Sequence, residues 1–162
     1  MGDVLLAPHL VESLKATATE ILETMVSMTP QAVEQVTEER SEFNDQVIGL
    51  LGFTGTRSGT FLVRTTEAMA CRIAAKMLMM EADELADFAE AADAFGEVVN
   101  MLSGNFKNAW VAEGNQMDLS IPNVIHNGHV LLGAERRGGV LRSGVRVTLD
   151  GGALDIGVHF EG

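Results

Sequence analysis

The stretch Asp93-Ala-Phe-Gly-Glu97-Val-Val-Asn100-Met-Leu-Ser-Gly104 carries two different faces of one helix. With about 100° of rotation per helical residue, Asp93, Glu97, Asn100 and Gly104 fall within roughly 60° of one another. Phe88, Phe95, Val98, Val99, Leu102, Phe106 and Trp110 share the far side. The pattern predicts a helix that buries its aromatic face and presents an acid, an amide and a glycine outward. A glycine in a helix interior costs about 1 kcal/mol relative to alanine, so Gly96 and Gly104 need a reason beyond helix formation. Close approach of a partner at Gly104, one turn beyond Asn100, is such a reason.

Upstream, Leu10, Leu14, Ala18, Ile21, Leu22, Met25 and Met28 keep helical spacing before Pro30. Residues 29–45 are polar and acidic, and read as either a solvated connector or an exposed first strand. Gln46 to Gly55 and Thr60 to Thr65 flank Arg57-Ser58-Gly59 and predict a hairpin, whose glycines Gly49, Gly52, Gly55 and Gly59 imply close packing over the sheet. Thr66 is placed to cap a second helix, with Met69, Ile73, Ala74, Met77 and Met80 on one side. Glu81 to Glu84 separate it from the long helix.

Downstream the period changes to that of strands, over Met117 to Ile125, Val130 to Glu135, Val140 to Asp150 and Leu154 to Phe160. Asn127-Gly128, Arg137-Gly138-Gly139 and Asp150-Gly151-Gly152 are the turn signals between them, the first and last being hairpin dipeptides. Pro122 cannot donate to a ladder and predicts an edge position or a bulge. The order predicts an α+β fold, helices packed on one antiparallel sheet, with two similar halves. In the first half the positions matching the stripe are Glu20, Glu23 and Ser27, without the amide or the glycine.

At 162 residues the chain suits a single domain spanning 1–162, able to bury roughly 70% of the surface its unfolded form exposes. A formal charge of −12 disfavours nucleic acid as a partner. No apolar run approaches the roughly 20 residues of a membrane span, and Met1-Gly2-Asp3-Val4 lacks a basic secretion leader. Leu6 stands where a myristoylation motif carries Ser or Thr. The single Cys71 excludes an intramolecular disulfide and fits a cytoplasmic protein, as filler in an apolar helix. The nine methionines read as core filling. His126 and His129 flank a turn without a third ligand and read as loop residues, so no metal site is expected. Gly52 to Gly59 lacks the Gly-Lys-Ser/Thr ending of a phosphate loop.

The pattern D-x-x-x-E-x-x-N-x-x-x-G over Asp93 to Gly104 resembles the signature of the CheC/CheX family of chemotaxis phosphatases. The resemblance extends to Gly104-Asn105-Phe106-Lys107, to Ser120-Ile-Pro122-Asn-Val-Ile125, and to the glycine-rich hairpin before the second helix. One intact stripe rather than two makes the chain more similar to the CheX branch. The resemblance implies a protein, commonly dimeric, that removes the phosphoryl group from the aspartate of a phosphorylated CheY-like response regulator. It assigns catalysis to Glu97 and Asn100, with Glu97 meeting the receiver's lysine, and partner contact to Asp93 and Gly104. It implies no cofactor of the chain's own, the Mg²⁺ being the receiver's.

That chemistry is consistent with the residues. A receiver's acyl phosphate is already activated, so a helper mainly has to place water in line with phosphorus. An amide serves, its carbonyl oxygen accepting from water and its NH₂ donating. The runner-up is a non-catalytic module that binds a receiver or another partner, in the manner of CheC-type or flagellar-switch proteins. Receiver decay at sub-stoichiometric protein separates the two.

Overall fold

A computed structural model describes residues 6–39, 42–132 and 141–161. Helix α1 (Pro8–Met25) opens on a proline whose missing N–H is no loss in a first turn, and buries Leu10, Val11, Leu14, Ala18, Ile21 and Leu22. Strands β1 (Ala32–Glu39), β2 (Glu42–Phe43), β3 (Val47–Gly55) and β4 (Gly59–Thr65) follow. Then come α2 (Glu67–Met77), a short 3-10 turn over Ala82–Glu84, and α3 (Phe88–Val111). The chain finishes with β5 (Met117–Leu119), β6 (Asn123–His126), β7 (Val130–Leu131), β8 (Leu141–Leu149) and β9 (Gly152–Phe160).

Seven strands form one antiparallel sheet in the order β1-β8-β9-β4-β3-β5, with β6 also on β3. The fold is α+β, with helices on the sheet as the sequence pattern predicts. Within 29–45 the strand alternative holds for Ala32–Glu39: β1 pairs along its length with β8 and forms one edge. The expected β3–β4 and β8–β9 hairpins are both present, the second closed by Gly151 at φ 92°.

Strand alternation divides the buried residues between two faces. Val47, Leu51, Phe53, Phe61, Val63, Val145, Val147, Ile156 and Val158 join the helices in the main core. Ile48 and Leu62 point the other way, where Phe43 of β2 and Val130 of β7 cover them. Those two strands pair with each other as a separate ribbon, which the sequence pattern does not anticipate.

That ribbon overturns one expected hairpin. Asn127 does adopt the left-handed conformation, at φ 56°, yet β6 continues along β3 while β7 leaves to meet β2. Burial of Phe43 and Val130 against Ile48 and Leu62 outweighs the local turn preference. Of the late strands, β8 and β9 lie inside the sheet, whereas β5 and β6 run along its other edge, on β3. The methionine run is only partly core. Met69 is buried, whereas Met79 is 92% exposed beyond the end of α2. The Arg137-Gly138-Gly139 turn lies outside the described residues. No described helix is long and apolar enough to cross a membrane.

Candidate functional site

Helix α3 begins where Asp87 accepts a hydrogen bond from the Glu90 amide at 3.1 Å, while Glu90 reaches back to accept from the Ala86 amide at 2.9 Å. The two acids satisfy donors that a helix start leaves open. From there the faces separate as predicted. Phe95, Val98, Val99, Leu102 and Phe106 are buried, while Asp93, Glu97 and Asn100 are exposed. Phe88 and Trp110, at the two ends, are half-buried.

A bare strand lets the apolar face come down on the sheet. A Cβ at Gly49 of β3 would lie 2.5 Å from Val99 Cγ2 and 3.2 Å from the Phe95 ring. Alanine there would press into a stiff β-branched side chain and an aromatic edge. Of the glycines that imply close packing over the sheet, Gly49 is thus the seat of α3, while Gly55 and Gly59 make room for the Gln116 and His159 carbonyls.

The outward face borders a groove of about 380 Å³ lined by Ala92, Asp93, Gly96, Glu97, Asn100, Ile121, Pro122, Asn123 and Val124. Helix α3 gives one side, and the edge strand gives the other. The structure therefore brings Asp93, Glu97 and Asn100 together along one groove. Gly104 lies a turn farther on, and among the described residues nothing beyond its chain neighbours and its own helix backbone comes within 4 Å of where its Cβ would be. Among the described residues, no hydrogen bond or ion pair engages the side chains of Asp93, Glu97 or Asn100. An acid and an amide one turn apart, both unpartnered and open to solvent, can bind a basic group and hold a water or phosphoryl oxygen.

The edge-strand side was not singled out from sequence as part of the site. Strands β5 and β6 both pair with β3, and Ser120, Ile121 and Pro122 interrupt them. At the interruption Ser120 completes the ladder by itself: its amide donates to the Gly52 carbonyl at 2.9 Å, and its hydroxyl accepts from the Gly52 amide at 2.9 Å. Pro122, which cannot donate, sits in the gap on the edge as expected. Ile121 is left 86% exposed at the groove.

His126 is a clamp rather than a loop residue. Its ring stacks on Phe88 at 3.7 Å between centroids, and Nε2 lies 2.5 Å from a Glu67 carboxylate oxygen. It ties β6 to the first turns of α2 and α3, and so joins the two walls of the groove, β6 and α3. His129 lies 3.2 Å from Glu42 across the ribbon. Among the described residues, no group of three or more His, Cys, Asp or Glu is arranged to hold a metal ion. Cys71 packs beside Ala74, Ala91 and Ala94, and burial, then the Glu67 charge, pushes its thiol above the ordinary range.

Residues 47–140, more than half of the chain and including α3 and both groove walls, match the family of the chemotaxis phosphatase CheX. The chain belongs to the CheX family. Solved structures agree on the fold. CheX from Desulfovibrio desulfuricans superposes with a TM-score of 0.79 at 21% identity, over 94% of this chain and 99% of that one. CheX from Vibrio vulnificus gives 0.72 at 24% identity, over 94% and 99%. A CheX-CheY-BeF3-Mg²⁺ complex from Borrelia burgdorferi gives 0.75 at 20% identity, over 94% and 98%. No curated protein sequence matches the chain.

Proposed function

We propose that this CheX-family protein hydrolyses the aspartyl phosphate of a CheY-like receiver domain, with the receiver docked along the groove of α3. The observation that carries the reading is the unpartnered Glu97–Asn100 pair on an exposed helix face walled by the edge strand. The Borrelia CheX-CheY complex, a structural relative, supports a receiver as the partner.

In this reading Glu97 pairs with the receiver's active-site lysine and fixes the register of docking. Asn100 then enters the receiver's site, its carbonyl oxygen accepting a hydrogen bond from the attacking water and its NH₂ meeting a phosphoryl oxygen or the receiver. Water adds to phosphorus as the aspartyl oxygen leaves, so the products are inorganic phosphate and the free receiver carboxylate. The chain supplies no nucleophile. The Mg²⁺ that neutralises the departing charge belongs to the receiver as part of the substrate. Asp93, a turn before Glu97, orients the partner. Gly104 leaves room for it beyond Asn100.

We also infer that residues 1–162 act as one domain, in the cytoplasm, and pair with a second copy. The dimer rests on family membership and on the outer edge of β1, which no described strand covers. The two-halves reading is kept as a proposal. It is supported by the side-by-side β3–β4 and β8–β9 hairpins, each flanked by an outer strand. The test of function is turnover: a phosphorylated CheY-like receiver with Mg²⁺ is mixed with a small molar fraction of this protein. Phosphate release exceeding the protein present supports the reading, and a receiver that decays at its own rate overturns it.

A further inference from the structure

The strongest unexplained feature beside the site is Ile121. A large β-branched side chain, 86% exposed, contributes almost nothing to the fold, and an isolated one on a flexible loop would be unremarkable. Ile121 is not on such a loop. The Ser120–Gly52 bonds fix the residue before it, Pro122 stiffens the residue after it, and β5 and β6 anchor both flanks on β3. It also lines the groove that holds Asp93, Glu97 and Asn100.

Across that groove α3 presents an acidic and amide-bearing face, while the edge strand presents Ile121, Pro122 and Val124 with the amide of Asn123 among them. Such a pairing fits a partner whose basic or phosphorylated centre is bordered by an apolar patch. Apolar contact beside a polar reaction centre supplies affinity and excludes bulk water from it.

We propose that Ile121 is the apolar anchor by which the phosphorylated receiver is seated, a partner-binding residue distinct from Glu97 and Asn100. This rests on the receiver-phosphatase reading and deepens it. The α3 stripe then governs register and chemistry, while the interrupted strand governs how tightly the receiver is held. Ile121 touches the partner and not the reacting atoms.

The experiment measures kcat and KM for a phosphorylated CheY-like receiver. It also measures binding of the same receiver loaded with beryllofluoride and Mg²⁺. Ile121→Asp is expected to raise KM and weaken binding by roughly tenfold or more, with kcat held within about twofold. Ile121→Val, which keeps the apolar branched shape, is expected to restore near-native values. Leu131→Asp, on the ribbon across the sheet and also exposed, is the control and is expected to change neither. Folding is not at stake, because the side chain is in solvent. Ile121→Asp with native KM and binding overturns the anchor. A fall in kcat at unchanged KM also overturns it, assigning Ile121 to the chemical step. Wild-type protein that neither binds nor dephosphorylates the receiver fails differently, overturning the function and this inference together.

Discussion

Helices α1 and α3 lie on the same sheet and both show a polar face to solvent, yet only one of them borders a built groove. The outer face of α1 has a hollow of about 460 Å³ lined by Glu12, Lys15, Ala16, Thr19, Glu20, Glu23 and Thr24, all from α1 itself. Lys15 is there paired with Glu12 at 3.3 Å, and the hydroxyls of Thr19 and Thr24 are spent on the helix's own carbonyls. Ser27, the residue answering to the end of the stripe, lies past the helix in a left-handed turn at φ 57°. Among the described residues Glu20 and Glu23 are as unpartnered as Glu97, but helix α3 adds the amide of Asn100 and faces a second wall, Ile121 to Val124. A polar helix face becomes a candidate site when its groups are left unspent and another element encloses them.

That contrast can be attacked on either helix. The largest effect is expected from Phe95→Ala, which empties the contact between α3 and Gly49. Unfolding in denaturant should show a loss of about 3–5 kcal/mol. Next is Asn100→Ala, expected to cut the dephosphorylation rate by roughly 10²-fold if placing the water is its task. The matching change on α1, Glu23→Ala, should leave the rate within about twofold, and a comparable loss there would erase the distinction between the two helices.

Glu97→Gln keeps the shape and removes the charge. It should weaken receiver binding by roughly tenfold, and the wild-type affinity should fall as salt rises while the variant's responds less. The smallest effect is in stability. Gly104→Ala places a methyl group in open space and should stabilise the fold by about 0.5–1 kcal/mol in thermal or denaturant unfolding. Gly104→Leu should fold as well but raise the KM for the receiver through bulk. A Gly104→Leu protein with native KM would show that no partner approaches that turn.

How much of this was legible in the sequence depends on whether a feature is local. The two faces of α3 follow from a 3.6-residue period, and Phe95, Val98 and Asn100 fall where it puts them. The β3–β4 and β8–β9 hairpins follow from short turns rich in glycine. The groove's second wall does not follow, since it requires β5 and β6 to share one edge of β3 across more than sixty residues of chain. Nor does the destination of β7, because a turn at Asn127 is compatible with a hairpin or with departure to another strand. Strand order, a product of the whole sheet, is likewise not local: it places β8 and β9 inside and leaves β5 and β6 along an edge. Met79 shows the limit of composition: methionine fills cores, but two residues beyond the end of α2 there is no core to fill.

The central claim is that Asn100 acts on the bound receiver's chemistry rather than on docking. Its most direct test is dephosphorylation by wild-type and Asn100→Ala protein across a range that saturates the receiver, with binding of the beryllofluoride-loaded receiver measured alongside. The account predicts equal binding and a maximal rate reduced by roughly 10²-fold in the variant. An unchanged maximal rate would contradict it.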